Sequence, residues 1–370
     1  MTGEKNRVRA KQAWIAAILS SIVATSGVVY QLVTTQTSKQ IRPGAAQGKP
    51  ASAFASDGVT AGGWTALESM KQGAALAATV ALPDGHIFVI SGRTNDNGKR
   101  KVTHAVRVYD PRQNIWSEAS SIPTPRTEPG VALGQDGKIY VIGGADTQRR
   151  QNVVEAYDPK TDMWARCKPM PTPREALWAV AAKGADGRVR IYAIGGRDRS
   201  KPGNGLSAVE AYDPTTDTWI AMAPMPTPRH ALTATLGPDG QIYALGGSND
   251  GVFCTDVVDI YDPMKNVWTM GPPLPYGREC AAAVFTPGQE GEVLVFGGWD
   301  RRSWPLADVA AYSPRTRKWR ALPPMPTARA AVGAVTRTGA DGYFHITVLG
   351  GVYGETAVEE YSFRPVATHR

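Results

Sequence analysis

Three residues of the sequence, Glu175, His230 and Glu279, are of the types that transfer protons in enzymes, and each directly follows an arginine. Carboxyl and imidazole groups held together in one pocket can act as the general acid and base that isomerise a sugar. The three residues are roughly 50 positions apart, so only a fold that repeats on that scale would bring them together. The competing interpretation, that they are solvated loop residues, is the one that the sequence favours.

Signals for other kinds of catalysis are missing from the sequence. It contains no HExxH, no Cys/His cluster, no GxSxG and no phosphate-binding loop. Its three cysteines, Cys167, Cys254 and Cys280, are too few for a disulfide framework and are best interpreted as small buried thiols. We therefore predict no metal, no cofactor and no catalytic residue.

A segment of about 50 residues recurs six times after residue 62. IYVIGG at residues 139–144, followed by EAYDPKTDMW, returns as IYAIGG at residues 191–196 and as IYALGG at residues 242–247. Weaker copies end in the glycines at positions 92, 298 and 351, and the spacings between successive copies are 52, 52, 51, 51 and 53 residues. Such a fixed period indicates a repeat architecture.

Each repeat contains four short apolar runs separated by turn signals such as Asp-Gly and Asp-Pro, which predicts four antiparallel strands. The first run is rich in Ala, Gly, Val and Thr, as crowding around a central axis requires. The double glycine ends the second run, where chain passes close to chain. Tyr and Trp follow seven residues apart, for example Tyr157 and Trp164, on the outer two runs. The predicted fold is an all-β, six-bladed β-propeller.

The combination of a double glycine, Tyr-Asp-Pro, Trp and PMPTPR resembles the Kelch repeat and covers residues 63–370. The resemblance implies a Kelch-type propeller used mostly for binding, although a minority of such proteins are enzymes. Copper radical oxidases need a Tyr–Cys cross-link, two His ligands and usually further domains, whereas sialic-acid mutarotases are closer in length and in exported location. The runner-up function is therefore a carbohydrate-active enzyme of the mutarotase or epimerase type, with Glu175, His230 and Glu279 as its acid–base groups.

The two ends of the repeat region complement each other. The last repeat stops at Tyr361-Ser362-Phe363 without its Trp, while Trp64 precedes the first repeat. We expect residues 64–70 to form the fourth strand of the last blade beside residues 358–363, because such closure removes an exposed sheet edge.

Five arginines recur in register before the first strands, where the first repeat has Ala74; they are Arg126, Arg174, Arg229, Arg278 and Arg329. Their regular recurrence predicts a structural role, with bonds to neighbouring backbone or carboxylates. The resemblance leaves a ligand role open, because related propellers hold acidic peptides with arginines near this position.

The first 62 residues have a different character. Residues 1–12 form a basic tail, residues 13–33 carry no charge, and residues 34–62 have the composition of a flexible linker. A helix of 21 residues spans about 30 Å, the thickness of a bilayer core, and the basic tail predicts a cytoplasmic N-terminus. We expect one N-terminal transmembrane helix, a signal anchor that holds the propeller outside the cytoplasm at the cell membrane. The alternative is a signal peptide cleaved before Gly27 and a secreted protein.

The net charge of +8 comes mainly from this N-terminal region. Seven of the 41 Lys and Arg and two of the 33 Asp and Glu precede residue 63, which leaves only +3 for the propeller. This is not the charge pattern of a nucleic-acid-binding protein, so we predict no nucleic-acid partner.

The predicted loops between second and third strands are long and irregular, and they emerge on the same side as the segments before the first strands. They carry eleven basic and six acidic residues, and most of the acids lie where an Asp also caps a turn. Because function tends to lie on loops held by a rigid scaffold, this face is the predicted binding face. The competing interpretation is a solvated charged rim.

We therefore predict a membrane-tethered recognition domain, a monomeric propeller that binds a protein, peptide or glycan, with an anionic ligand as one form. Two or more carboxylates or a His converging at the axis would favour the enzyme instead. The predicted ligand-binding residues are Arg93, Arg197, Arg199, Trp299, Arg301, Tyr353, Glu175, His230 and Glu279.

Overall fold

The structure is a computed structural model that describes residues 62–363, except 97–98, 147–148, 199, 201–204, 251–252, 287–290, 340 and 353–355. These residues fold into six four-stranded antiparallel sheets and one two-stranded hairpin. The innermost strands of all six sheets line one central channel, so the sheets are the blades of a six-bladed propeller. The all-β propeller predicted from the repeat is therefore confirmed.

Each blade has four strands, which run in order from the channel outward. Blade 1 contains β2 (Ala78–Ala81), β3 (Ile87–Ile90), β6 (Val106–Asp110) and β7 (Ile115–Ala119). Blade 2 contains β8 (Gly130–Leu133), β9 (Ile139–Ile142), β10 (Val154–Asp158) and β11 (Met163–Cys167). Blade 3 contains β12 (Trp178–Lys183), β13 (Val189–Ile194), β14 (Val209–Asp213) and β15 (Thr218–Ala221).

The other three blades follow the same order. Blade 4 contains β16 (Thr233–Leu236), β17 (Ile242–Leu245), β18 (Val258–Asp262) and β19 (Val267–Met270). Blade 5 contains β20 (Ala282–Phe285), β21 (Val293–Phe296), β22 (Val309–Ser313) and β23 (Lys318–Leu322). Blade 6 contains β24 (Gly333–Thr338), β25 (Phe344–Leu349), β26 (Val358–Phe363) and, from the opposite end of the repeat region, β1 (Gly63–Ala66).

One loop is more regular than the sequence predicts. An irregular loop is expected over residues 93–102, but they contain the strands β4 (Arg93–Asp96) and β5 (Lys99–Val102), which pair as a hairpin with Arg93 opposite Val102. The strands flank an Asn-Gly pair, which is a sequence that favours hairpins.

The double glycine ends the second strand in blades 2 to 6, where blade 1 has Ser91-Gly92, and blade 2 illustrates its steric cause. Gly143 and Gly144 adopt φ angles of 62° and 96°, which are strained for other residues. A Cβ on Gly143 would lie 2.7 Å from the carbonyl oxygen of Arg174, and one on Gly144 would lie 2.8 Å from that of Thr127. The two glycines therefore let the end of the second strand touch the chain that enters the innermost strands.

The hydrophobic core is divided into six parts, one between each pair of neighbouring blades. Between blades 3 and 4, for example, Tyr192 packs 5.7 Å from Tyr261, centroid to centroid, and Trp268 covers Tyr261 at 4.9 Å. The aromatic residues of the third and fourth strands thus fill the wedge that widens between diverging sheets, as predicted.

A ring of six indole hydrogen bonds links the outer strands of successive blades. Each fourth-strand Trp donates its Nε1–H to a carbonyl oxygen of the preceding blade, as Trp116 does to Glu68 and Trp164 to Ser120, both at 2.8 Å. Trp64 of β1 donates to Pro323 at 3.1 Å and lies opposite Tyr361 of β26. The Trp that the last repeat lacks is therefore supplied by β1, at the start of the domain, as predicted. The strand ends at Ala66 and is thus shorter than the predicted strand over residues 64–70.

The recurring arginines fasten five of the six blade-to-blade connections to the blade that follows. Arg126 is fully buried and donates to Glu155 of β10 at 2.8 Å and to the Val141 carbonyl at 2.9 Å. Thr124 binds the other oxygen of the same carboxylate at 2.7 Å. The remaining pairs are Arg174 with Glu210, Arg229 with Asp259, Arg278 with Asp308, and Arg329 with Glu359. The predicted structural role of these arginines is confirmed.

Blade 1 lacks this ion pair, and its arginine lies on the third strand instead of in the connection. Ala74 stands where the other blades have the arginine, and Arg107 of β6 occupies the position of Glu155. The guanidinium of Arg107 donates to Gln72 at 3.1 Å, so the cation has moved to the strand. Burial lowers the pKa of Arg107 below its ordinary value, although Glu118 opposes this.

In the part of the chain that the structure describes, no helix is long and apolar enough to cross a membrane. The predicted transmembrane segment, residues 13–33, lies outside the described residues.

Candidate functional site

A ring of strained residues lies where the chain enters the innermost strands. One residue of each blade has a φ between 52° and 57° there: Leu76, Glu128, Ala176, Ala231, Cys280 and Ala331. Consecutive members are joined by backbone hydrogen bonds, such as Glu128 N to Leu76 O at 2.9 Å and Cys280 N to Ala231 O at 2.8 Å. Left-handed backbone at residues other than glycine costs about 1 kcal/mol or more each, and such strain clusters at functional sites.

The residue before each ring member pairs with the residue after the double glycine. Glu175 forms an isolated bridge with Arg197, His230 with Ser248, and Glu279 with Trp299. The entrances to the first strands and the loops that follow the second strands therefore share one side of the propeller, which we call the loop face. The opposite side carries the short Asp-Gly and Asp-Pro turns.

Arg197 is the centre of a charged cluster on the loop face. Its Nε donates to Glu175 at 2.7 Å and its guanidinium binds Glu128 of the neighbouring blade at 3.0 Å. Burial opposes the charge of Arg197, but Glu128 and Glu175 raise its pKa above the ordinary value. Arg197 is therefore a permanent cation already engaged by two carboxylates.

Glu279 completes this cluster from blade 5. Burial raises the pKa of Glu279 above its ordinary value; Arg197 opposes this, and Glu128 and Asp250 add to it. We call Glu128, Glu175 and Glu279 around Arg197 the acidic mouth. With three carboxyl groups and one guanidinium, it has a surplus of negative charge when all are ionised.

Changing Glu279 to Gln is expected to raise the midpoint of thermal unfolding at neutral pH. Because the folded-state pKa is raised, the ionised carboxylate is less favourable in the folded than in the unfolded protein, and the amide removes that penalty. The gain should disappear as the pH falls below the ordinary value of 4.5, where both states carry the neutral acid. Thermal melts of the full chain across this range provide the measurement, with Glu68→Gln at an exposed glutamate as the control. Equal midpoints for Glu279→Gln and wild type at every pH would contradict the expectation.

The sequence-predicted ligand residues fall into several groups. Arg197, Glu175 and Glu279 come together at the acidic mouth, and the buried His230 lies on the same loop face. Trp299 is half-buried beside Glu279, and Arg93 pairs with Ala75 on blade 1. Arg301 is exposed near Gly277. Arg199 and Tyr353 lie outside the described residues.

Acidic residues that follow the double glycine serve as turn caps, as the sequence predicts. The carboxylate of Asp146 accepts the backbone N–H of Arg149 at 2.6 Å, and that of Asp300 accepts the N–H of Trp304 at 2.8 Å. These carboxylates therefore hold loops in place, whereas the glutamates of the acidic mouth face a cation.

Sequence reasoning missed three residues of this face. The sequence does contain a signal for Glu128, because the equivalent position of every other repeat holds a small or apolar residue. Tyr276 belongs to PYGR, where three other repeats have PTPR. Phe253 lies in a loop for which the sequence prediction considered only the charged residues. Both aromatic side chains are exposed.

Below the ring, the central channel encloses a cavity of about 400 Å³. It is lined mainly by small apolar residues of the six innermost strands, with Trp178 and Phe285 as larger members and Glu128 and Cys280 at the ring. Burial raises the pKa of the Cys280 thiol well above its ordinary value, so this cysteine stays protonated and is a poor nucleophile.

Family models match two parts of the sequence. The model described as the KLHDC2/KLHL20/DRC7 Kelch-repeats domain matches residues 75–284, and the model described as the Kelch motif matches residues 287–326. The first match alone covers more than half of the chain.

Several curated proteins are similar to this chain. Kelch-like protein 35 of Mus musculus is 28% identical over 282 residues, which are 75% of this chain and 44% of the relative. Kelch-like protein terF of Aspergillus terreus is 28% identical over 200 residues, 53% of this chain and 43% of the relative. The chain thus spans less than half the length of these relatives.

The solved structure titled "Structure of YjhT" has a TM-score of 0.63 and 16% identity to this chain. The match covers 82% of this chain and 98% of that one. At this identity it supports the propeller fold alone.

Proposed function

The chain belongs to the Kelch-repeats domain family, and we propose that its propeller is a recognition module that binds a protein or peptide on the loop face. The observation that carries the proposal is the acidic mouth, where Glu128 of blade 2 and Glu175 of blade 3 bind Arg197, and where the charge of Arg197 acts on Glu279 of blade 5. Strained backbone and partly buried charge destabilise the folded protein, and such features are concentrated at functional sites.

The charges at the mouth favour a cationic group of the ligand. The sequence predicts an anionic ligand near Arg93 and Arg197, but the second of these is bound by two carboxylates. A ligand ammonium or guanidinium group could instead lie against the surplus carboxylate without displacing Arg197.

Glu175→Gln combined with Trp299→Ala is expected to lower ligand binding about tenfold, since it removes one carboxylate of the acidic mouth and the aromatic ring beside Glu279. Lys160→Ala combined with Lys265→Ala, on the turns of the opposite side, should leave binding unchanged. The measurement is quantitative capture of proteins from an extract of the source organism by the immobilised full chain and both variants. Capture that is lost with the lysine variant and kept by the mouth variant would show that the wrong face has been chosen.

A second candidate function, acid–base isomerisation of a sugar, is favoured by the three carboxyl groups of the acidic mouth, which is the arrangement expected of the enzyme, and by the raised pKa of Glu279. It ranks second because Arg197 already binds Glu128 and Glu175, which ties up two of the three carboxylates. A protonated Glu279 could donate to the ring oxygen while Glu175 or His230 takes the proton of the anomeric hydroxyl, which opens the ring. Reversal of these transfers closes it on the other face. Proton NMR of freshly dissolved glucose and sialic acid would show faster anomer exchange with wild type than with Glu279→Gln; equal rates would dismiss this function.

We further propose that the propeller is tethered outside the cytoplasm. The support is in the sequence, where the uncharged residues 13–33 follow a basic tail and precede a linker. Protease added to intact cells should then digest the propeller, and carbonate washing should leave the protein in the membrane pellet. A soluble form that begins near Gly27 would indicate a cleaved signal peptide instead.

A further inference from the structure

Three aromatic side chains on the loop face are exposed to solvent. Phe253 is 63% exposed, Tyr276 48% and Trp304 67%, although buried aromatics are the rule in this fold. Other large exposed hydrophobic residues, such as Ile115, Met163 and Met270, lie on the fourth strands of their blades. Exposed aromatic residues gathered in one place are characteristic of binding surfaces.

The chain segments that carry the three aromatic residues lie next to one another over blades 4 and 5. A Cβ on Gly277 would lie 2.7 Å from the Cys254 carbonyl oxygen and 3.2 Å from Nε of Arg301. Tyr276 and Phe253 are the sequence neighbours of Gly277 and Cys254, and Trp304 belongs to the same short turn as Arg301. We call Phe253, Tyr276 and Trp304 the aromatic patch.

The turn that carries Trp304 is held before any ligand arrives. The carboxylate of Asp300 accepts the backbone N–H groups of Arg302 and Trp304, each at 2.8 Å, and the Asp300 N–H donates to the Trp304 carbonyl at 3.0 Å. An anchor held in this way loses little conformational entropy on binding, which improves affinity.

The aromatic patch and the acidic mouth are joined by a short piece of chain. Glu279 follows Tyr276 by three residues, and its backbone pairs with Trp299, which directly precedes Asp300. One strip of surface therefore runs from the acidic mouth to the aromatic patch, beside which Arg301 and Arg302 are also exposed.

We propose that this strip binds an extended peptide segment with a lysine or arginine over the acidic mouth and an aromatic or aliphatic residue on the aromatic patch. The inference rests on the proposed recognition function and specifies the chemistry of the ligand. The surplus carboxylate selects the cation, the rings bury the apolar side chain, and Arg301 and Arg302 are placed to donate to peptide carbonyls.

The test is a selection of displayed random peptides on the full chain, followed by affinity measurements with the synthetic peptides that are enriched. We expect enriched sequences to combine a basic and an apolar residue. Glu279→Gln and Trp304→Ala should each weaken their binding about 30-fold, whereas Met163→Ala, at a similarly exposed apolar residue of β11, should not.

The outcomes separate this inference from the broader function. Enriched acidic peptides that still compete for the loop face would overturn the basic–apolar ligand and leave recognition standing. Enriched peptides whose affinity is unaffected by Glu279→Gln and Trp304→Ala would also overturn it. Binding of neutral oligosaccharides with no enriched peptide would contradict both proposals, because the ligand would then be a glycan.

Discussion

Replacement of Glu210 by alanine is expected to lower the free energy of unfolding by about 3–5 kcal/mol, because it leaves the buried cation of Arg174 without its carboxylate. Arg174 is 0% exposed and its guanidinium lies 2.5 Å from Glu210. Burial lowers the pKa of Arg174 and Glu210 counters this, so removal of the carboxylate takes away the main compensation. Thr172 loses the same partner, to which it donates at 2.7 Å.

Urea denaturation of the full chain measures this effect, and the chain supplies a matched control. Asp186 makes an equally short contact of 2.5 Å with Arg190, but its side chain is 46% exposed. Solvent screens an ion pair of this kind, so Asp186→Ala should cost only a small fraction of the loss caused by Glu210→Ala.

A double variant, Arg174→Met with Glu210→Leu, tests the reason for the loss. It contains no buried charge at this position, so it should be more stable than Glu210→Ala alone. Recovery should be incomplete, because the carbonyls of Thr172 and Ala193 lose the guanidinium as a donor. If the double variant lost as much free energy of unfolding as the two single variants lose together, the explanation by unpaired charge would be refuted.

The repeat was predictable because its steric and hydrogen-bonding requirements are local. The constant spacing of seven residues between Tyr and Trp illustrates this. The hydroxyl of Tyr157 donates to Asp162 at 2.6 Å, and Asp162 is itself the left-handed residue of the turn that leads to Trp164. A longer or shorter turn would break that bond, and Tyr109, Tyr212 and Tyr261 make the same bond to the residue five positions further on.

The pairing of charges across blades was not predictable in the same way. The sequence predicts that Arg197 binds a ligand, yet one of its partners in the structure, Glu128, precedes it by 69 residues. Blade 1 makes the same point, because Ala74 indicates a missing arginine while its replacement by Arg107 and Gln72 becomes visible only in space. A single sequence reveals which positions repeat, but not which of the side chains that depart from the repeat meet each other.

Trp64→Ala is expected to lower the free energy of unfolding by about 3 kcal/mol, since it opens the joint at which the two ends of the propeller meet. Its indole packs edge-on against Phe296 of blade 5 at 6.2 Å and against Tyr361 of its own blade at 5.3 Å. The same indole donates the hydrogen bond to Pro323 that continues the ring of indole contacts into blade 5.

A short strand at the end of the domain makes this joint sensitive. The four residues of β1 pair only with β26, and the alanine variant keeps that ladder but loses the contacts that press β1 against blade 5. The unfolding midpoint in urea, read from tryptophan fluorescence and circular dichroism together, measures the loss. Trp304→Ala removes an indole that is 67% exposed, so its free energy of unfolding should stay within about 0.5 kcal/mol of wild type. If Trp64→Ala were as stable as this control, the joint would have to be held by the backbone ladder alone, and a chain that starts at Gln72 would then be needed to open the ring.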